Sequence, residues 1–322
     1  MHSDERSANN DERSANSDER DAVMRLRDRF EALLLDLDGT LFRGHKPIPG
    51  APEALSAADS GQRLMYVTNN ASRSADAVAL HLRELGFDAH EDEVVTSAQA
   101  AARLLAHRVP TGSTVLVVGT DDLMSEVENV GLQAVRRFDG VVPSAVIQGH
   151  SPRTAWADLA EAAYALRSGA LWVAANTDAT LPTERGLAPG NGSMVAALRQ
   201  ASGLEPLVAG KPYAPLMEDA LERAATRDAL VVGDRLDTDI DGAHATGLES
   251  LMVLTGVSTL ADLRNQPADR MPTYIAESLD ALNHPVADMD PVVPGTGDIA
   301  EVIAARLRET PGRAIPVRPT VD

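Results

Sequence analysis

Two aspartates two positions apart, Asp36 and Asp38, close an apolar run: Ala32-Leu-Leu-Leu-Asp36-Leu-Asp38-Gly39-Thr40-Leu41. The run reads as a strand buried on both faces. In open α/β sheets, ligands bind beyond the carboxyl ends of such strands. Gly39 lets the chain turn sharply as it leaves the strand. Two carboxylates so close repel one another and need something to stabilise the pair. A hard divalent cation such as Mg²⁺, which takes oxygen ligands, would do so. A strand-end aspartate followed by an ordinary Asp-Gly turn would show the same residues.

Three further segments carry polar chemistry at the edges of apolar runs. Tyr66-Val-Thr68-Asn69-Asn70 ends a strand on a hydroxyl residue. The Thr68 hydroxyl and the amides near Asn69 and Asn70 can donate hydrogen bonds to phosphoryl oxygens. They are expected where a helix begins, so that its dipole also favours an anion; a Thr or Asn helix cap would look alike. Gly210-Lys211-Pro212 sets a lysine just before a helical pattern, although most lysines are surface residues. It is not a P-loop, because Glu205 stands where a glycine is required and proline follows the lysine. Val231-Val-Gly233-Asp234-Arg-Leu-Asp237-Thr238-Asp239-Ile240 is an acidic loop after a strand. No His-Glu-x-x-His or Gly-x-Ser-x-Gly occurs, and none of the eight histidines forms a metal-like cluster.

These four segments, in this order, resemble the motifs of the haloacid dehalogenase superfamily. The resemblance covers about residues 30 to 282 and is closest to the NagD-like phosphatases, the group of 4-nitrophenyl-phosphatase, phosphoglycolate phosphatase and pyridoxal phosphatase. It implies a Mg²⁺-dependent phosphomonoester hydrolase. Asp36 would be the nucleophile, forming an aspartyl-phosphate that splits one hard displacement into two. Asp38 would be the general acid for the leaving alkoxide and then the base for water. Asp36, the backbone carbonyl of Asp38, and Asp234 would hold the ion, with Asp239 behind them, acting through a metal-bound water; Asp237 has no assigned role. Thr68, Asn69, Asn70 and Lys211 would bind the phosphoryl group, and Lys211 would neutralise charge. The substrate would be a small phosphorylated metabolite, glycerol 3-phosphate or 2-phosphoglycolate first, with pyridoxal phosphate, sugar phosphates and nucleotides as alternatives. Leu181 aligns with a position that is histidine in the pyridoxal phosphatases, which counts against pyridoxal phosphate. A dehalogenase needs neither Asp38 nor an acidic metal loop. A phosphotransferase of this superfamily usually carries a helical cap after the first motif, and the roughly 27 residues between Thr40 and Thr68 leave no room for one. A non-catalytic phosphate-binding protein would be expected to have lost one of these groups.

The elements that must position these residues follow from the alternation of strand-like runs, such as Arg63 to Thr68, Val115 to Val118, Leu171 to Ala175 and Ala229 to Gly233, with helical patterns such as Arg73 to Leu85, Ala155 to Arg167 and Pro215 to Ala225. This predicts an α/β fold: a Rossmann-like, doubly wound parallel sheet core with an inserted α/β cap. The roughly 140 residues between Asn70 and Lys211 far exceed one crossover. The expected organisation is a catalytic core of 24–107 and 206–282, a cap of 108–205 and a C-terminal tail of 283–322. Residues Asn176 to Pro182 and Pro189 to Gly192 resemble the substrate-facing loops of such caps. Met194 to Gln200 reads as a helix with Ser193 as its cap. Residues 1–23 repeat Asp-Glu-Arg with a period of seven and no apolar stripe, so they read as a disordered acidic tail. Met24 is expected to be the natural start.

The 322 residues, 44% hydrophobic and 24% charged, suit an ordinary globular protein. A net charge of −19 disfavours nucleic acid and anionic membranes, and obliges any phosphate site to bring its own positive charge. No cysteine is present, which removes thiolate chemistry and fits a cytoplasmic location. Caps of this subfamily often take part in dimers, so a homodimer is one assembly the resemblance allows.

Overall fold

The computed structural model describes residues 24–56, 61–138, 140–183, 185–295 and 297–318. The acidic repeat lies outside them. The chain divides into two compact units: residues up to Leu64 together with those from Thr226 onward, and Met65–Ala225.

The first unit is built on the strands Ala32–Leu35 and Ala229–Gly233, whose side chains are all buried. Continuous Leu and Val suit strands covered on both faces. They pair in parallel, Ala32 opposite Ala229 and Leu35 opposite Val232. The strands Glu249–Val253 and Tyr274–Ala276 extend the sheet in parallel, and Ile315–Pro316 closes its edge antiparallel. The segment set apart in the sequence as a tail therefore contributes to this sheet. Its helix, Ile299–Glu309, starts at Asp298, whose carboxylate accepts from the Ala300 N–H at 3.0 Å. Ile299, Ile303 and Leu307, at spacings of four, form one helix face. That face packs into a core with Leu236, Ile240, Met252 and Ile275. Leu236 and Ile240 flank the acidic loop, so this helix helps to set the loop's position.

The strand Arg63–Thr68, which enters the second unit at Met65, pairs in parallel with Val94–Thr96, Thr68 opposite Thr96. The second unit also holds a five-stranded sheet in the order Leu207–Val208, Leu171–Ala174, Ala145–Gln148, Thr114–Val118, Gln133–Val135, parallel throughout. Four of these five strands fall within 108–205, the range expected of the cap. Leu181 lies on an antiparallel hairpin, Thr180–Thr183 with Gly186–Pro189. The helix Ser97–Ala106 begins where sequence chemistry dictates. Thr96 Oγ1 accepts from Gln99 N–H at 3.2 Å, and Gln99 Oε1 accepts from Thr96 N–H at 3.1 Å, so the two residues satisfy each other's open donors. The helix Asn191–Ser202 starts earlier than the pattern suggests, with Gly190 as its cap residue. Ser193 does not cap it: its hydroxyl donates to the Ala179 carbonyl at 2.7 Å. Glycine is required in the first turn of that helix, because a Cβ on Gly192 would overlap the Thr177 carbonyl. Among the described residues no helix is long and apolar enough to cross a membrane.

Candidate active site

Asp36 is the first residue past the strand Ala32–Leu35, and its N–H still follows the sheet register, donating to Val232 O at 2.8 Å. Asp234 occupies the same place after the neighbouring strand Ala229–Gly233. Adjacent parallel strands thus deliver two carboxylates side by side. Asp239 joins them from a single wide turn of π-type helix, Leu236–Ile240. Oxygen atoms of Asp36, Asp234 and Asp239 all lie within 4.8 Å of one another, and among the described residues no other cluster of this kind exists. Asp234 and Asp239 are buried, at 0% and 1% exposure, while Asp36 is partly exposed. Burial of three acceptor-only groups so close together is unfavourable unless positive charge meets them. An all-oxygen set of this kind suits a hard divalent ion.

The surrounding chain holds these carboxylates in place. The Asp234 carboxylate accepts from Val257 N–H at 2.6 Å, and Asp239 from Arg235 N–H at 3.1 Å. The buried Thr40 hydroxyl lies 3.4 Å from Asp234 and 3.5 Å from Asp36. Gly39 has φ +93°, and a Cβ there would lie 2.5 Å from the Asp234 carboxylate, so two independent reasons demand glycine. A Cβ on Gly256 would overlap the Asp234 carboxylate as well. Thr40 could have been inferred from its place after the Asp-x-Asp-Gly run, whereas nothing in the sequence marks Val257 or Gly256.

Asp38 is exposed, and its carboxylate is not part of the cluster. Asp237 is also outside the cluster. It faces solvent in a two-pronged pair with Arg235, at 3.0 and 2.8 Å, which holds its carboxyl below the usual carboxylate range. Asp237→Asn is therefore expected to leave kcat/KM within about twofold, since surface changes of this sort rarely exceed about 0.5 kcal/mol. A steady-state comparison with wild type checks it.

The other predicted residues gather in the second unit. Thr68 ends its strand almost buried, at 8% exposure. Its Oγ1 accepts from the Asn70 N–H at 3.1 Å, so the hydroxyl proton is left to donate. Asn70 in turn accepts from Ser72 N–H at 2.7 Å. These successive side-chain turns keep the chain non-helical, and the next helix starts only at Ala75. The amides of Asn69 and Asn70 thus stand in a loop and not at a helix start, and the dipole contribution expected from the sequence does not apply there. Lys211 is no surface lysine: it is 3% exposed, and its Nζ donates to Val67 O at 3.3 Å. A lysine is almost never so buried without partners.

Residues 33–133 match the haloacid dehalogenase-like hydrolase family, and residues 208–282 match a second family described as HAD-hydrolase-like. The chain belongs to the haloacid dehalogenase-like hydrolases. It is 60% identical over 253 residues to a D-glycerol 3-phosphate phosphatase of Mycobacterium tuberculosis, spanning 79% of this chain and 71% of that one. It is 36% identical over 265 residues to an acid sugar phosphatase of Staphylococcus aureus, spanning 81% of this chain and 99% of the relative. Among solved structures, a glycerol phosphate phosphatase of M. tuberculosis in complex with magnesium superposes with a TM-score of 0.79 at 52% identity, over 89% of this chain and 93% of that one. A 4-nitrophenylphosphatase of Thermotoga maritima superposes with a TM-score of 0.72 at 30% identity, over 80% and 97%. The resemblance read from the four motifs is thereby borne out, as is the α/β fold.

Proposed function

We propose that this chain is a Mg²⁺-dependent phosphatase that hydrolyses the phosphate monoester of a small polyol, with glycerol 3-phosphate as its substrate. The observation that carries the reading is the buried cluster of Asp36, Asp234 and Asp239 at adjacent strand ends. The likeness to a glycerol 3-phosphate phosphatase over four-fifths of the chain supports the substrate. It ranks glycerol 3-phosphate above 2-phosphoglycolate. Leu181 is exposed, and if it stands where the resemblance aligns the histidine of the pyridoxal phosphatases, it offers pyridoxal phosphate no such group.

The Asp36 carboxylate attacks phosphorus as the ester P–O bond breaks, and the Asp38 carboxyl gives its proton to the departing alkoxide. Deprotonated Asp38 then takes a proton from water as that water attacks the aspartyl-phosphate, which frees Asp36 and inorganic phosphate. Mg²⁺ would be held by Asp36, the Asp38 carbonyl and Asp234, and would supply positive charge for the phosphoryl oxygens. Asp239, whose carboxylate lies in the cluster, would act on the ion directly or through a metal-bound water. Thr68 donates its hydroxyl proton to a phosphoryl oxygen, and Lys211 supplies the fixed positive charge that an acidic chain must bring to its own site. By the resemblance to the NagD-like phosphatases, the segment 108–205 would serve as the cap that selects the leaving group. The lack of cysteine and the acidic surface fit a cytoplasmic enzyme that binds neither nucleic acid nor membrane.

Phosphate release from a panel of glycerol 3-phosphate, 2-phosphoglycolate, pyridoxal phosphate, sugar phosphates, nucleotides and 4-nitrophenyl phosphate tests this. Glycerol 3-phosphate is expected to give the highest kcat/KM among the metabolites, by tenfold or more. A sugar phosphate or nucleotide ranking first would overturn the substrate and keep the reaction.

A further inference from the structure

We infer that the Asn69 side chain is a positioning group for Lys211 and not a ligand of the phosphoryl group. The inference rests on the phosphatase reading and deepens it. Asn69 Oδ1 accepts from Lys211 N–H at 2.7 Å, and Asn69 Nδ2 donates to Lys211 O at 3.0 Å. One amide thus clamps the main chain of the lysine on both sides. The same Nδ2 lies 3.2 and 3.3 Å from the two carboxylate oxygens of Asp178. A side-chain amide has two N–H groups and one acceptor oxygen. Both N–H groups are committed, one to Lys211 O and one to Asp178. What remains is an acceptor oxygen already facing Lys211 N–H, which a phosphoryl oxygen would repel. Contact between Asn69 and a phosphoryl group is therefore confined to its main-chain N–H.

Asp178 decides which way the amide points. A carboxylate only accepts, so it draws Nδ2 and leaves Oδ1 for Lys211. Asp178 is itself tied down: its N–H donates to Asn176 Oδ1 at 3.2 Å, and its carbonyl accepts from Gly192 N–H at 2.8 Å. The Asn69 carbonyl accepts from Asn176 Nδ2 and Ser97 Oγ, both at 2.6 Å. The approach of the two chains leaves no room for a side chain beside the lysine. A Cβ on Gly210 would sit 2.6 Å from Asn69 Oδ1 and from Ala175 O. Lys211 is thus held at its main chain by Asn69 and at its ammonium by Val67 O. Its charge depends for its place on an amide, which Asp178 orients from the loop that leads into the Leu181 hairpin.

A double-mutant cycle on the Mg²⁺-loaded full chain tests this, using Asn69→Ala, Lys211→Met and the double variant. Asn69→Ala is expected to lower kcat/KM for glycerol 3-phosphate by about 10²-fold, as for a catalytic group moved by about 1 Å. Once Lys211 is replaced by methionine, adding Asn69→Ala should cost less than about threefold, because the group it positions is gone. Asp178→Asn should follow the same pattern with a smaller loss, and it carries the cycle if Asn69→Ala does not fold. Losses that multiply in full would overturn the inference and make Asn69 a phosphoryl ligand in its own right. Binding of inorganic phosphate by calorimetry runs the same cycle without turnover. There, Asn69→Ala should weaken phosphate binding when Lys211 is present and leave it unchanged on the Lys211→Met background; weakening in both would overturn the inference. Failure of the phosphatase reading shows differently, as a wild-type protein that turns over no ester on the panel.

Discussion

Asp36→Asn is expected to abolish turnover, with a loss on the order of 10⁶-fold in kcat, the scale seen when a covalent nucleophile is removed. The substitution is nearly isosteric and keeps the main-chain N–H bond to Val232 O. What it loses is the carboxylate that must form and then release the acyl phosphate. A neutral amide oxygen does neither at a useful rate. The change also removes one of three negative charges lying within 4.8 Å. Relief of that repulsion means that, without divalent ions, the variant should melt no lower than wild type. Loss of activity with retained stability separates a chemical role from a structural one. Rapid acid quench followed by intact-mass measurement should find a phosphate adduct on wild type and none on the variant. Activity within tenfold of wild type would remove Asp36 from the nucleophilic role.

The half of the site that follows strand ends was legible in the sequence, because its signals are local. An apolar run of Leu or Val stopping at an aspartate says both that a buried strand exists and where its carboxylate points. Ala229–Gly233 and Arg63–Thr68 have the bounds their sequences imply. Where side chains compete with the backbone, the reading fails. Thr68 and Asn70 close turns with the residues two positions on, which delays the next helix to Ala75. Gly190, not Ser193, begins the helix Asn191–Ser202, because the Ser193 hydroxyl finds the Ala179 carbonyl instead. The C-terminal helix shows the expected apolar spacing, yet its sequence gives no sign that Ile303 packs with Leu236 and Ile240 of the acidic loop. The Asn69–Lys211 clamp was beyond reach for a further reason. Its partners stand 142 positions apart, and the amide–backbone bond that joins them has no residue-type signature at either end.

Divalent-ion binding should appear as stability as well as activity. Chelation is expected to reduce turnover to background, and added Mg²⁺ to restore it. Because folding assembles the carboxylates of Asp36, Asp234 and Asp239 from separate stretches of chain, the ion binds the native state far better than the unfolded one. At a hundredfold excess over Kd, such linkage is worth about 2.7 kcal/mol, a rise of several degrees in Tm. Asp234→Asn should remove both effects together. Asp234 is fully buried, its carboxylate is fixed by Val257 N–H at 2.6 Å, and Gly39 and Gly256 both pack against it, so no other residue can move in to replace it. The amide keeps the volume but supplies one neutral oxygen, and either of its orientations sets an N–H where an acceptor stood. The apo variant should nevertheless be at least as stable as apo wild type, since one of the crowded charges is gone. Asp237→Asn, which alters only the solvent-facing pair with Arg235, should keep the full Mg²⁺-dependent rise in Tm. Differential scanning calorimetry with and without Mg²⁺ on the three proteins distinguishes these outcomes. A rise that survives in Asp234→Asn but is lost in Asp237→Asn would transfer the ion from the buried cluster to the exposed arm of the loop.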